Sequence, residues 1–109
     1  QAKQSLVGVK ETTLQEYGAV SRETAAEMAL GIKQLSGVDI AVSITGIAGP
    51  DGGSEEKPVG LVYIGLAYKD KVNVKEMRFV GDRIGIRTLA AKSALDMVRR
   101  SLLTEEGAK

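Results

Sequence analysis

The sequence predicts a layered α/β domain, its elements running α, α, β, loop, β, β, α, with helices able to cover a mixed sheet from both sides. Three observations carry that expectation. Apolar residues recur at helical spacing in two separated stretches, 21–36 and 83–103. A short β-branched run, "DIAVSIT", directly follows the first of them. Two further apolar segments flank a polar "KDK" of hairpin length. At 109 residues the chain has room for one domain, 1–109, and one core.

Residues 2–17 read as one or two short helices, with Leu6, Val7 and Val9 apolar, then Leu14 and Tyr17 on one side before Gly18 stops them. In "SRETAAEMALGIKQLSG" Ser21 is placed to cap, Glu23 lies in the first turn, and Ala25, Met28, Ala29, Ile32 and Leu35 form the apolar stripe. Gly37 ends it. The strand "DIAVSIT", 39–45, is apolar almost throughout, the pattern of a strand covered on both faces. "VGLVYIGLAY" and "VNVKEMRFV" should pair antiparallel across "KDK". In the second, Val72, Val74, Glu76 and Arg78 alternate with Asn73, Lys75, Met77 and Phe79, so neither face is cleanly apolar, which suits an edge strand. The long helix from Arg83 to Leu103 carries Ile86, Leu89, Ala90, Ala94, Met97, Val98 and Leu102 in a stripe, with Asp82 as its N-cap.

Composition removes several kinds of chemistry. With 15 basic and 14 acidic residues the net charge is +1, so no global field draws the chain to nucleic acid or an anionic membrane. Aromatic residues make up 4%, too few for a base-stacking groove. The absence of cysteine and histidine excludes thiolate nucleophiles, Ser-His triads and the usual zinc ligands from what these residues do alone. No apolar run approaches the length of a membrane span, and no signal peptide is visible, so a cytoplasmic location is expected. The chain opens on "QAKQSLVGVK", without methionine and inside what reads as a helix; an N-terminally truncated fragment is expected. The half-polar edge strand leaves a place for self-association, and a homo-oligomer is the expectation.

The stretch "SITGIAGPDGGSEEKPVG", 43–60, holds the chain's two prolines and several of its glycines at the carboxyl end of the first strand, where open α/β sheets bind ligands. Glycines 46, 49, 52 and 53 can bring backbone N–H groups close to a carboxamide or phosphate. The spacing fits neither a P-loop nor G-x-G-x-x-G. Turn chemistry in a plain connector is the competing reading. Thr45 ends the strand with its hydroxyl toward the loop, whereas Ser43 shares its face deeper in the sheet. Glu55, Glu56 and Lys57 read as a solvated run. Arg83 and Arg87, at i and i+4 beside a helix N-terminus, are placed to converge on an anion, or else are two exposed arginines.

These residues resemble a family. "SITGIAGPDGGSEEKPVGLVYIGLA", followed by "GDR" before a long helix, is similar to the C-terminal domain of the CinA proteins, also found alone as nicotinamide mononucleotide deamidase. The resemblance runs from about Lys3 to Leu103. It implies a three-layer α/β/α sandwich and hydrolysis of nicotinamide mononucleotide to nicotinic acid mononucleotide and ammonia, with neither a metal nor an organic cofactor. It further implies a nucleophilic serine in an A-E-S-C-T-G-G motif and a Y-S-N-x-x-K stretch, of which only the "QAK" ending at Lys3 is present. By the same resemblance Lys3 is base or electrostatic helper, as a desolvated lysine beside a serine can be. Thr45, Gly46, Ile47, Ala48 and Gly49 form a substrate-contacting wall with oxyanion-stabilising amides, and Arg83 and Arg87 bind the phosphate. The alternative function is a non-catalytic nucleotide-binding or partner-binding module.

Overall fold

A computed structural model describes residues 8–46 and 59–107. Lys3, Ile47, Ala48 and Gly49, together with the charge run 55–57, lie outside them.

Helix α1, Glu11–Tyr17, is short, and its N-cap residue Lys10 supplies no side-chain cap. The next helix does so instead. Glu27 accepts from the Lys10 backbone N–H at 2.9 Å through one carboxylate oxygen and from the Thr13 hydroxyl at 2.7 Å through the other. Helix α2, Arg22–Ser36, begins at Ser21, whose Oγ accepts from the Thr24 N–H at 3.1 Å, and ends at Gly37 in the left-handed conformation. Both ends are where the sequence marks them.

Strands β1 (Ile40–Gly46), β2 (Leu61–Tyr68) and β3 (Lys71–Arg78) form one sheet in the order β1-β2-β3. Both pairs are antiparallel. The expected mixed sheet is therefore corrected for the described strands. A helix feeding a strand points to layered α/β structure, and that holds, but α2 precedes β1 without linking it to another described strand, and each described strand runs opposite to its neighbour. The β2–β3 turn is two residues long, Lys69 taking a positive φ of 57°, and this puts Tyr68 opposite Lys71. As expected, β3 lies at an edge of the described sheet.

The alternation of side chains across the sheet sorts the layers. On one face Val62 and Ile64 join Ile86, Ala90 and Ala94 of helix α3, Arg83–Gly107, in the buried core, with Val42, Met77, Phe79 and Met97 packed around it. On the other face α2 presses on Ser43 and Gly65, and the Ser43 hydroxyl donates to the Ala25 carbonyl at 2.6 Å. A Cβ built at Gly65 would run into that same carbonyl oxygen. The two helices thus sandwich the sheet in three layers, and β2 is buried on both sides, with Ile64 and Ala67 at 0% exposure.

The apolar stripes are partly confirmed. Ala25 and Ala29 of α2 are buried, as are Ile86, Ala90 and Ala94 of α3, but Leu35 is 77% exposed and Leu89 and Leu102 are more than 40% exposed. Periodicity shows which side of a helix is apolar, not whether a neighbour covers it. Among the described residues, Ile84 and Leu95 likewise remain open on α3.

Candidate functional site

One end of the sandwich gathers most of the described polar groups of interest. Strand β1 finishes there at Gly46, opposite Val62 near the start of β2, and β3 finishes beside it with Arg78 opposite Leu61. Gly60 closes that end. It takes a φ of 97°, its carbonyl accepts the Phe79 N–H at 2.9 Å, and a Cβ there would strike the Phe79 carbonyl. Because α2 runs back along β1, its N-terminus lies at this end too. So does the start of α3, five residues beyond the last residue of β3.

Thr45 lies at the tip of β1 on the α2 face. Its hydroxyl donates to the carbonyl of Ala19 at 2.6 Å, while Gly46 beyond it is exposed. Ser43, one pleat deeper, is 4% exposed and occupied by Ala25, so Thr45 is the accessible hydroxyl, as its place in the strand predicts.

Asp82 caps α3: its Oδ1 accepts from the Gly85 N–H at 2.7 Å and its carbonyl from the Ile86 N–H at 2.9 Å. Arg83 and Arg87 follow on the first turns, and both are exposed. They stand on the helix that covers the face opposite to the Thr45 side chain. A ligand reaching both sets of groups would have to bend round the end of β1 at Gly46.

The residues that sequence reasoning missed form a row on the Thr45 face. Register places Thr45, Tyr63 and Glu76 side by side across the three strands. The Glu76 carboxylate stands 3.6 Å from the Arg22 guanidinium and 3.1 Å from Arg78 Nε. Arg22 also donates to the Val74 carbonyl at 3.1 Å and lies over the Tyr63 ring, 5.8 Å from its centroid. Burial first, and then the adjacent Glu76 carboxylate, raise the Tyr63 phenol above its ordinary range, against a smaller opposing pull from Arg22 and Arg78. The Tyr63–Glu76 pairing follows by counting back from the two-residue turn, whereas the three-residue KDK connection expected from the sequence sets the register one residue off, because Lys71 belongs to β3. Arg22 has no such signal, because it arrives from another layer.

Among the described residues no group of three or more acidic side chains is placed to hold a metal ion, and no helix is long and apolar enough to cross a membrane.

The sequence profile of the CinA C-terminal domain matches residues 1–102. The chain belongs to the CinA C-terminal domain family. It is 61% identical over 102 residues to a CinA-like protein of Syntrophomonas wolfei, covering 94% of this chain and 24% of that one. A CinA-like protein of Kosmotoga olearia is 58% identical over 103 residues, with 94% and 25% covered. Among solved structures, the competence/damage inducible protein CihA of Agrobacterium tumefaciens superposes with a TM-score of 0.85 at 44% identity, over 91% of this chain and 61% of that one. A CinA superfamily protein of Escherichia coli does so with a TM-score of 0.83 at 36% identity, over 90% and 57%. The chain therefore spans about a quarter of the length of the curated relatives it matches and about three fifths of the solved chains. The α/β fold read from the sequence is that of these CinA proteins, a family named for competence and damage inducibility.

Proposed function

We propose that this domain is part of an amidohydrolase that converts the carboxamide of nicotinamide mononucleotide to a carboxylate and ammonia. The observation that carries the reading is the exposed end of β1. There an oriented Thr45 hydroxyl and the open backbone at Gly46 stand between two helix N-termini, one of them bearing Arg83 and Arg87.

The chemistry divides among these groups. A serine outside the 109 residues attacks the carboxamide carbon, and Lys3 accepts its proton. Backbone N–H groups of 46–49 stabilise the negative charge on the former carbonyl oxygen. Collapse of that intermediate breaks the C–N bond, ammonia leaves with the proton returned from Lys3, and water hydrolyses the acyl ester. Arg83 and Arg87 bind the phosphate, where two guanidinium groups at i and i+4 suit a dianion.

Ammonia release from nicotinamide mononucleotide by the protein that carries this chain tests the reading. Turnover is expected, and binding without turnover would reject it in favour of a non-catalytic nucleotide-binding module. The paired substitution Arg83→Ala and Arg87→Ala should weaken the mononucleotide far more than the phosphate-free nucleoside. Equal weakening of the two removes the phosphate role.

A further inference from the structure

We infer that Thr45 distinguishes a pyridine carboxamide from the corresponding carboxylate, and that Arg22 and Glu76 are positioning residues that hold it in the orientation to do so. This rests on the amidohydrolase reading and assigns the specificity of that same site.

The contact between Thr45 Oγ1 and the Ala19 carbonyl oxygen, 2.6 Å, has only one possible polarity. A carbonyl oxygen carries no proton, so the hydroxyl donates. Its single proton is thereby committed, and Oγ1 offers a ligand lone pairs only. Such an atom accepts an N–H from a –CONH₂ group. Toward a carboxylate it sets acceptor against acceptor.

The device works only if Ala19 cannot move, and the segment Gly18–Arg22 is tied down at both sides. Ser21 Oγ and Thr24 Oγ1 both donate to the Gly18 carbonyl, at 3.0 and 2.7 Å. On the far side Arg22 reaches across to β3, where it bonds the Val74 carbonyl at 3.1 Å and pairs with Glu76 at 3.6 Å. Glu76 is held in turn by Arg78. The arch therefore crosses the Thr45–Tyr63–Glu76 row from one edge of the described sheet to the other. Exposed ion pairs of this kind add little to stability. What they fix is the place of the Ala19 carbonyl, and through it the direction of the Thr45 proton.

The consequence suits a hydrolase whose product differs from its substrate only in this group. The N–H that Thr45 accepts leaves with ammonia, and the acid left behind loses the contact that held its precursor.

The test compares nicotinamide mononucleotide with nicotinic acid mononucleotide in the protein that carries this chain. Where there is turnover, KM for the amide and the competitive inhibition constant of the acid are read from initial rates; where there is none, both are titrated by calorimetry. The wild type should favour the amide about tenfold, the worth of roughly one hydrogen bond. Thr45→Ser should keep that preference, and Thr45→Val should lose it by weakening the amide. Arg22→Gln should lower the preference by tightening the acid, because a released hydroxyl can turn and donate to it. Removing a cation would by charge alone weaken an anionic ligand, and a loosened fold would weaken both ligands. Glu76→Gln should act likewise, with no gain for the acid in a Thr45→Val background.

Equal affinity of the wild type for the two probes, or an unchanged preference in Thr45→Val, overturns the specificity role. A parallel fall of both ligands in Arg22→Gln overturns the positioning role. Amide preference without ammonia release rejects the hydrolase and upholds the inference; ammonia release without preference does the reverse, and binding of neither probe overturns both.

Discussion

Replacing Gly65 with alanine tests the reason α2 can lie so close to the sheet. Two effects of opposite sign compete. Glycine in a strand costs about 0.5–1 kcal/mol relative to alanine through lost backbone entropy, so a neutral site would gain from the change. Here the new Cβ meets the carbonyl carbon and oxygen of Ala25 and, at 2.8 Å, Ser43 Oγ. The first two atoms belong to helix backbone and cannot rotate away, so α2 must shift as a body. Overpacking of that kind costs about 1–3 kcal/mol, and the shift also breaks the 2.6 Å bond from Ser43 to Ala25, worth about 1 kcal/mol. The net expectation is a loss of about 1–3 kcal/mol, equivalent to a fall in melting temperature of roughly 5–15 °C for a domain near this size. Urea unfolding at constant slope measures it directly. Ser43→Ala should cost about 1 kcal/mol alone but little in the Gly65→Ala background, because the bond it removes is already broken. An unchanged or higher midpoint for Gly65→Ala, or full additivity of the two substitutions, would refute the close-approach account.

Other consequences are equally direct. Asp82→Ala should destabilise α3 by about 1 kcal/mol in the same urea assay, through loss of the 2.7 Å cap to the Gly85 N–H, while Asp82→Ser should recover most of it. The raised folded value of Tyr63 means that its contribution to stability is present below the ordinary phenol value of 10.0 and is lost as pH rises through the folded value. Ultraviolet titration of tyrosinate, assigned with Tyr63→Phe, should show the late titration, and Glu76→Gln should bring it part of the way back, leaving the share due to burial. Hydrogen bonds from Arg99 and Arg100 hold Asp96 below its ordinary value of 3.8, so its contribution is present above that value and lost as pH falls through the folded one. An NMR titration of Asp96 in Arg99→Gln or Arg100→Gln should show its carboxyl moving up toward the ordinary value.

Local signals in the chain were sufficient for the elements themselves. Ser21, Gly37 and Asp82 mark helix ends because a cap is a contact between near neighbours, and all three stand where such residues belong. The antiparallel pairing of β2 with β3 followed from the short polar turn, and the greater accessibility of Thr45 than of Ser43 on the same face followed from its place at the end of the strand. That all the described strands are antiparallel was not legible, since strand direction depends on which neighbour a strand meets, and no local pattern encodes that.

What the sequence determined by itself is therefore the set of elements, most of their capped ends, the antiparallel pairing of the hairpin and the family. What only the tertiary structure decided is which groups meet across layers. Glu27 caps a helix other than its own, Gly65 admits the Ala25 carbonyl, and Arg22 reaches β3 at Val74 and Glu76. The Thr45 proton points at Ala19, 26 residues earlier in the chain. The physical reason is range. Caps, turns and strand alternation are settled within a few residues of backbone, whereas a hydrogen bond between layers exists only after burial has brought distant segments together, and it leaves no periodic trace in either of them.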